Sequence, residues 1–124
     1  MPHSYKRADR VASLIQAEIA QMLERELRDP RLRKVTITRV VLTDDLKLAR
    51  VYYSLIGTSE EKEQAKQGFA RAKGLIKRLI GERVYLKFVP DIEFFFDQSL
   101  EYAQRIEELI RKIHQENESD EENM

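Results

Sequence analysis

The chain has 124 residues, which is enough for one domain that buries a sizeable core without help from disulfides or metals. It contains no cysteine, so disulfides, thiolate nucleophiles and most structural zinc sites are excluded. The first residues lack the apolar core of a signal peptide, and no apolar run approaches membrane-spanning length, which predicts a soluble, cytoplasmic protein.

The charge is unevenly distributed along the chain. The 22 Lys and Arg residues balance 22 Asp and Glu residues, but five of the acidic residues lie within residues 115–124, which contain no Lys or Arg. Residues 1–114 therefore carry an excess of about five positive charges. This asymmetry predicts an RNA-binding domain over residues 1–114 and an acidic, disordered tail over residues 115–124.

The first half of the chain predicts a helix followed by a β-hairpin. Residues 6–28 carry an apolar stripe at helical spacing and end at Asp29-Pro30, because the residue before a proline avoids helical angles. Residues 35–42 and 48–56 are rich in β-branched and aromatic side chains and predict two strands. Residues 43–47 have the composition of a turn, so the two strands are expected to pair as a hairpin.

A long basic region follows the hairpin. Thr58 and Glu61 form a capping-box pattern that predicts the start of a helix. A glycine inside a helix costs about 1 kcal/mol relative to alanine, so Gly74 predicts a kink between two helical pieces, at Ala72-Lys73-Gly74. Gly81 is the predicted end of the second piece.

The last part of the chain predicts a strand and an extra C-terminal helix. Residues 92–96 contain three consecutive phenylalanines, which predict burial of one face and a covering helix on the other. Residues 100–113 have apolar side chains at helical spacing, and the helix is expected to begin at Asp97 or Ser99. The predicted fold is a single α+β domain, with a three-stranded sheet covered by helices on one face.

The basic region around Gly74 is the candidate binding surface. Charged residues opposite an apolar stripe are most often only a solvated helix face. Here, however, residues 71–87 hold six Lys and Arg residues and a single acid, and Gly74 allows a phosphate backbone to approach. The first turn of the first helix also carries cations, although the helix dipole disfavours positive charge there. These cations either contact RNA or simply lie at a solvated helix end. The predicted RNA-binding residues are Arg71, Lys73, Gly74, Lys77, Arg78, Arg83 and Lys87, with Lys6, Arg7 and Arg10 as secondary contacts.

The sequence offers few residues for catalysis. The two histidines, His3 and His114, lie near the ends of the folded part, and the glycine spacing fits neither a P-loop nor a dinucleotide-binding motif. Asp44 and Asp45 are adjacent carboxylates, but they belong to the predicted hairpin turn. We therefore expect a protein that is not an enzyme and uses no cofactor or metal.

Short motifs along nearly the whole folded length give the chain a resemblance to bacterial ribosome-binding factor A. The matching motifs are Arg10-Val11-Ala12, Arg25-Glu26-Leu27-Arg28-Asp29-Pro30-Arg31-Leu32, Asp45-Leu46, Ala49-Arg50-Val51-Tyr52, Ala72-Lys73-Gly74 and Pro90-Asp91-Ile92-Glu93-Phe94-Phe95-Phe96-Asp97-Gln98-Ser99. Each motif is short, and the ordered set at matching spacing carries the resemblance.

The resemblance implies a type II KH-like domain in which the Ala-X-Gly kink, here Ala72, Lys73 and Gly74, replaces the usual GXXG loop. KH domains clamp single-stranded nucleic acid at that loop, so its loss favours recognition of RNA shape and backbone. The family implies a non-catalytic assembly factor, monomeric when free. It would bind the immature small (30S) ribosomal subunit and support maturation of its 16S rRNA, notably in the cold.

A protein-binding adaptor of the same fold is the alternative. It would use a sheet edge or the phenylalanine-rich strand, and its positive charge would serve only solubility. The two functions differ in salt dependence, because contacts to RNA phosphates weaken steeply as salt rises and an apolar protein interface changes little.

Overall fold

A computed structural model describes residues 7–122 of the chain. This range folds into three α-helices, a short 3₁₀ helix and one three-stranded sheet. The elements in chain order are α1 (Arg7–Arg25), the 3₁₀ helix (Pro30–Leu32), β1 (Thr36–Leu42), β2 (Leu48–Ser54), α2 (Ser59–Arg83), β3 (Asp91–Phe96) and α3 (Ser99–Glu122).

The sheet has the strand order β1-β2-β3 and mixed pairing. β1 and β2 are antiparallel, which confirms the predicted hairpin, and β3 lies parallel to β2. A parallel neighbour requires a crossover connection, and α2 supplies it. Apolar side chains of α1 and α2 fill the core against one face of the sheet, as predicted. The largest fully buried apolar side chains of the helices are Phe69, Ile15, Ile19, Met22, Ile76 and Ile80, and they meet Val51 of β2 and Ile92 of β3.

The first helix ends three residues before the predicted position. The amide of Leu27 donates to the carbonyl of Met22 at 2.7 Å, which closes α1 ahead of the proline. Asp29 then caps the 3₁₀ helix, where its carboxylate accepts a hydrogen bond from the Arg31 amide at 3.0 Å and pairs with the Arg31 guanidinium. These hydrogen bonds from Arg31 hold the pKa of Asp29 below its usual value. Asp29 needs an extended backbone for this cap, so residues 26–28 connect α1 to it and are not part of the helix.

The basic region forms one α-helix, so the two helical pieces predicted on either side of Ala72, Lys73 and Gly74 belong to a single element. A bend of the helix axis at these residues stays a prediction. Phe69 and Ile76, on either side of Gly74, are buried in the same core. Their burial stabilises the unbroken helix by more than the roughly 1 kcal/mol that glycine costs. The capping box is confirmed, since Thr58 and Glu61 each accept a hydrogen bond from the other's amide, at 3.1 and 3.0 Å.

Gly81 does not end α2, which continues to Arg83. A Cβ atom at Gly81 would lie 2.9 Å from Cγ2 of Val89, in the loop that follows the helix. The glycine therefore allows that loop to pack closely against α2, a reason that only the folded chain reveals.

The phenylalanines of β3 divide between the two faces of the sheet. Phe94 points toward α2, where its ring stacks on Phe69 with centroids 4.5 Å apart. Phe95 points the other way, stacks on Tyr52 and stays 37% exposed, instead of lying under a helix as predicted. Alternation along a strand separates neighbouring side chains, so consecutive phenylalanines cannot share one face.

The last helix is longer and more exposed than the sequence predicts. It begins at Ser99, whose amide donates to Asp97 at 3.0 Å, and an ion pair between Lys62 and Glu101 joins it to α2. Its apolar side chains, including Leu109 and Ile113, are exposed. The backbone is helical through residues 115–122, and residues 123–124 lie outside the described range. The disorder of residues 115–124 stays a prediction.

Two glycines of α2 should respond oppositely to substitution by alanine. A Cβ at Gly74 meets nothing within 4 Å, so Gly74→Ala is expected to raise the free energy of unfolding by about 0.5–1 kcal/mol. A Cβ at Gly68 would lie 3.0 Å from Cδ2 of the buried Leu32, so Gly68→Ala should lower it by about 1 kcal/mol. Urea unfolding of both variants checks this, and a loss of stability in Gly74→Ala would contradict the continuous helix.

Candidate nucleic-acid interface

Three lysines lie along one flank of α2, since residues seven or four positions apart on a helix share a side. We call Lys66, Lys73 and Lys77 the lysine flank. Lys73 and Lys77 were predicted to bind RNA, and the structure places them together beside the start of β3. Lys66 was missed, although its spacing of seven residues from Lys73 is visible in the sequence.

Asp91, the first residue of β3, holds two lysines of this flank. Its carboxylate lies 3.5 Å from Nζ of Lys73 and 3.3 Å from Nζ of Lys77. A hydrogen bond from the Ile92 amide and the two lysines keep the pKa of Asp91 below its usual value. All three side chains are more than a third exposed, so these ion pairs contribute little to stability. The two ammonium groups therefore stay accessible from solvent.

A second group of predicted residues faces outward from α2. Arg71 and Arg78 are exposed and seven residues apart, or about 10 Å along the helix axis, with Gly74 between them. We call Arg71, Gly74 and Arg78 the outer row. Arg78 makes only a long contact, 3.9 Å, with Glu82 one turn on. The space above Gly74 is open, so a ligand can reach the helix backbone between the two guanidinium groups.

Arg83, which was predicted to bind RNA, forms ion pairs within the fold, and its contact with RNA stays a prediction. Its guanidinium lies 2.5 Å from Glu26 and 3.9 Å from Glu18, and its side chain is 29% exposed. The hydrogen bond to Glu26 raises the pKa of Arg83. The residue joins the end of α2 to α1, which no spacing in the sequence could show because Glu26 is 57 positions away.

The remaining predicted contacts lie away from the middle of α2. Arg7 and Lys87 line one groove together with Lys47 of the β1–β2 turn, a residue that the sequence reasoning missed. Arg10 is exposed on the first turns of α1, and Lys6 lies outside the described residues. The structure thus divides the predicted residues between α2 and a groove at the N-terminal end of α1.

Two other kinds of site are absent from the described residues. Within residues 7–122 there is no group of three or more His, Cys, Asp or Glu side chains placed to hold a metal ion. None of the helices in this range is both long and apolar enough to cross a membrane.

Two helices on one face of a sheet, with an α-β-β-α-β order, define a KH-like domain. KH domains as a class bind nucleic acid. Comparison with protein families agrees, since the family described as Ribosome-binding factor A matches residues 7–110. The chain belongs to the ribosome-binding factor A family.

Individual relatives are similar over most of their length. The ribosome-binding factor A of Syntrophobacter fumaroxidans is 46% identical over 112 residues, which cover 89% of this chain and 96% of the relative. A solution structure of a Thermotoga maritima protein described as a putative ribosome-binding factor A is 35% identical. It covers 77% of this chain and 90% of its own, with a TM-score of 0.58.

A further similar structure represents the Thermus thermophilus ribosome-binding factor A, fitted into a cryo-EM map of a complex with the 30S subunit. It is 24% identical, covers 75% of this chain and 97% of its own, and has a TM-score of 0.63. At this identity the similarity supports the fold.

Proposed function

We propose that this protein is an assembly factor that binds the small ribosomal subunit through contacts to RNA and catalyses no reaction. Family membership and the Thermus relative fitted into a 30S complex support the partner. The observation that carries the RNA contact is the lysine flank, Lys66, Lys73 and Lys77, beside the open surface at Gly74.

The geometry suits contacts to a phosphate backbone. The lysine flank and the outer row lie on adjacent sides of one rigid helix, so a strand crossing α2 near Gly74 can meet cations on both. Each contact releases counterions from the RNA, which makes the binding free energy strongly dependent on salt. The Asp91 carboxylate pairs with Lys73 and Lys77 until RNA binds. Partners that carry little negative charge cannot displace this carboxylate, so they bind less well than RNA.

The biological setting is part of the same proposal. The protein would act in the cytoplasm as a monomer, favour the immature subunit, and support maturation of 16S rRNA. A role in the cold follows from the slower rearrangement of RNA at low temperature, which prolongs the need for a protein that holds an immature arrangement. Release would follow when maturation changes the bound surface.

Crosslinking within purified immature and mature small subunits tests this proposal. We expect tighter binding to the immature particle, crosslinks from residues 66–78 to 16S rRNA, and an affinity that falls steeply as salt rises. Equal binding to both particles would contradict a role in assembly.

A protein-binding adaptor remains the alternative, and one exposed feature favours it. On the open face of the sheet, the Arg39 guanidinium lies 4.1 Å from the centroid of Tyr52, whose ring stacks on Phe95. Such a row of half-exposed aromatic side chains also suits a protein partner. Crosslinks from this row to a ribosomal protein, with an affinity insensitive to salt, would replace the RNA-binding proposal.

A further inference from the structure

A groove lies at the other end of the molecule from the 3₁₀ helix, between α1, the β1–β2 turn and the loop after α2. Its volume is about 380 Å³, and it is lined by Arg7, by residues 45–47 and by residues 86–89. Neither the lysine flank nor the outer row contributes a side chain to it. The groove is therefore a separate feature that the contacts described above do not use.

The loop that forms one wall exposes two aromatic rings. Tyr85 is 99% exposed beside the groove, and Phe88, which lines it, is 75% exposed. Burying a phenylalanine side chain would stabilise the fold by roughly 2 kcal/mol, and an exposed ring does not gain this free energy. The loop is held at both ends, since Val84 and Pro90 are buried, so the rings are presented from an anchored segment.

The opposite wall is anchored as well. Leu46 has a φ of 63°, and among residues 7–122 it is the only non-glycine residue with a positive φ. A hydrogen bond of 2.8 Å from the Leu46 amide to the Thr43 carbonyl holds this left-handed turn. The Asp91 amide donates to the Lys47 carbonyl at 2.8 Å, which ties the turn to β3. Such strain persists only where the surrounding contacts maintain it.

The charges around the groove favour an anion. Three cations line it, Arg7, Lys47 and Lys87, against one carboxylate, Asp45. An oxygen of Asp45 already accepts hydrogen bonds from the Thr43 hydroxyl at 2.7 Å and the Lys47 amide at 3.0 Å. The Lys87 ammonium lies 5.7 Å from the centroid of the Phe88 ring, so a group stacked on that ring would meet the cation.

We propose that this groove captures an unpaired base of single-stranded RNA, which stacks on Phe88 while Arg7, Lys47 and Lys87 hold the flanking phosphates. Aromatic rings beside a basic track are how proteins bind single strands without sequence preference. An acidic peptide would satisfy the cations but would not require exposed flat rings. The inference deepens the proposed function and rests on RNA being the ligand.

The groove and the lysine flank meet at Asp91. This residue bonds the Lys47 carbonyl through its amide and pairs with Lys73 and Lys77 through its carboxylate. A strand that leaves the groove beside Lys47 therefore reaches the lysine flank directly. The two surfaces together form one track for an RNA segment that ends in a flipped-out base.

The test measures the affinity of the full chain for a labelled oligouridine of about ten nucleotides and for an RNA duplex. Phe88→Ala is expected to weaken oligouridine binding about fivefold to hundredfold without changing the salt dependence, because stacking is lost and no charge is. It should leave duplex binding unchanged, since paired bases cannot enter the groove. Lys47→Gln with Lys87→Gln should lower the log–log salt slope by about 1.4.

Tyr102→Ala is the matched control, because Tyr102 is an exposed aromatic residue of α3 outside the groove, and its oligouridine affinity should equal the parent's. Crosslinking of the parent with an oligouridine that contains 4-thiouridine should include residues 84–89. The melting curve of Phe88→Ala should match that of the parent, since the Phe88 side chain is mostly exposed.

The outcomes separate this inference from the proposed function. Equal oligouridine binding by the parent and Phe88→Ala, or no binding by either, overturns the groove as an RNA site even if the parent binds small subunits. If Phe88→Ala loses oligouridine binding and the parent fails to bind immature subunits, the groove stands and the assembly role fails. The absence of crosslinks within residues 84–89 in the parent would also overturn the inference.

Discussion

Replacing both Lys73 and Lys77 by glutamine is expected to weaken small-subunit binding about tenfold or more. Both ammonium groups lie on the lysine flank, and each lost phosphate contact should also reduce the log–log salt slope by about one. Glutamine keeps the length of the side chain and the helix propensity, so the fold should survive. Affinity at several salt concentrations, beside a melting curve, measures both effects.

A matched control removes the same charge elsewhere. Arg111→Gln with Lys112→Gln changes two exposed cations of α3, and it should affect binding far less. Asp91→Asn provides the converse, since it releases Lys73 and Lys77 from their ion pairs and should strengthen RNA binding. The side-chain oxygen of asparagine can still accept the Ile92 amide. A folded Lys73/Lys77 variant with unchanged affinity and slope would exclude the lysine flank.

Phe69→Ala is expected to lower the free energy of unfolding by about 3–5 kcal/mol, the largest effect on stability that we predict. The Phe69 ring is 1% exposed and lies between two others, 4.5 Å from the centroid of Phe94 and 4.6 Å from that of Tyr53. Its removal leaves a cavity where α2 meets both β2 and β3. Urea unfolding followed by circular dichroism gives the difference.

Phe95→Ala is the control for that prediction, because it removes the same side chain from the open face of the same sheet. Phe95 is 37% exposed and has its stacking contact with Tyr52 to lose, so we expect a cost of about 1 kcal/mol. Losses of similar size at Phe69 and Phe95 would show that the helix-covered face is not the main core.

Local patterns in the sequence predicted most of the elements. The apolar stripe of α1, the hairpin and the capping box at Thr58 depend on contacts within a few residues, which helical or strand spacing displays directly. The motifs that carry the family resemblance were also visible, and they gave the fold class and the proposed partner. The predicted ends of elements were less accurate where a residue caps the next element, as Asp29 caps the 3₁₀ helix after α1.

Contacts between distant residues decided the rest. α2 continues through Gly74 because Phe69 and Ile76 share one core, although local propensity alone favours a break. Arg83 is paired with Glu26 and Glu18, two residues distant in sequence, which its place in a basic stretch does not reveal. A count of charges along the sequence cannot distinguish a cation paired across the fold from one presented to a ligand.

The groove is the clearest case of a feature that only tertiary structure could assemble. Arg7 and Lys87 each lie 40 residues from Lys47 in the sequence, yet all three line one groove, where the Asp91 amide joins the β1–β2 turn to β3. The sequence by itself determined that this chain folds as a basic α+β domain with a positive second helix. The tertiary structure decided which of its cations are paired across the fold and which are exposed, since long-range hydrogen bonds and core packing set where each side chain lies.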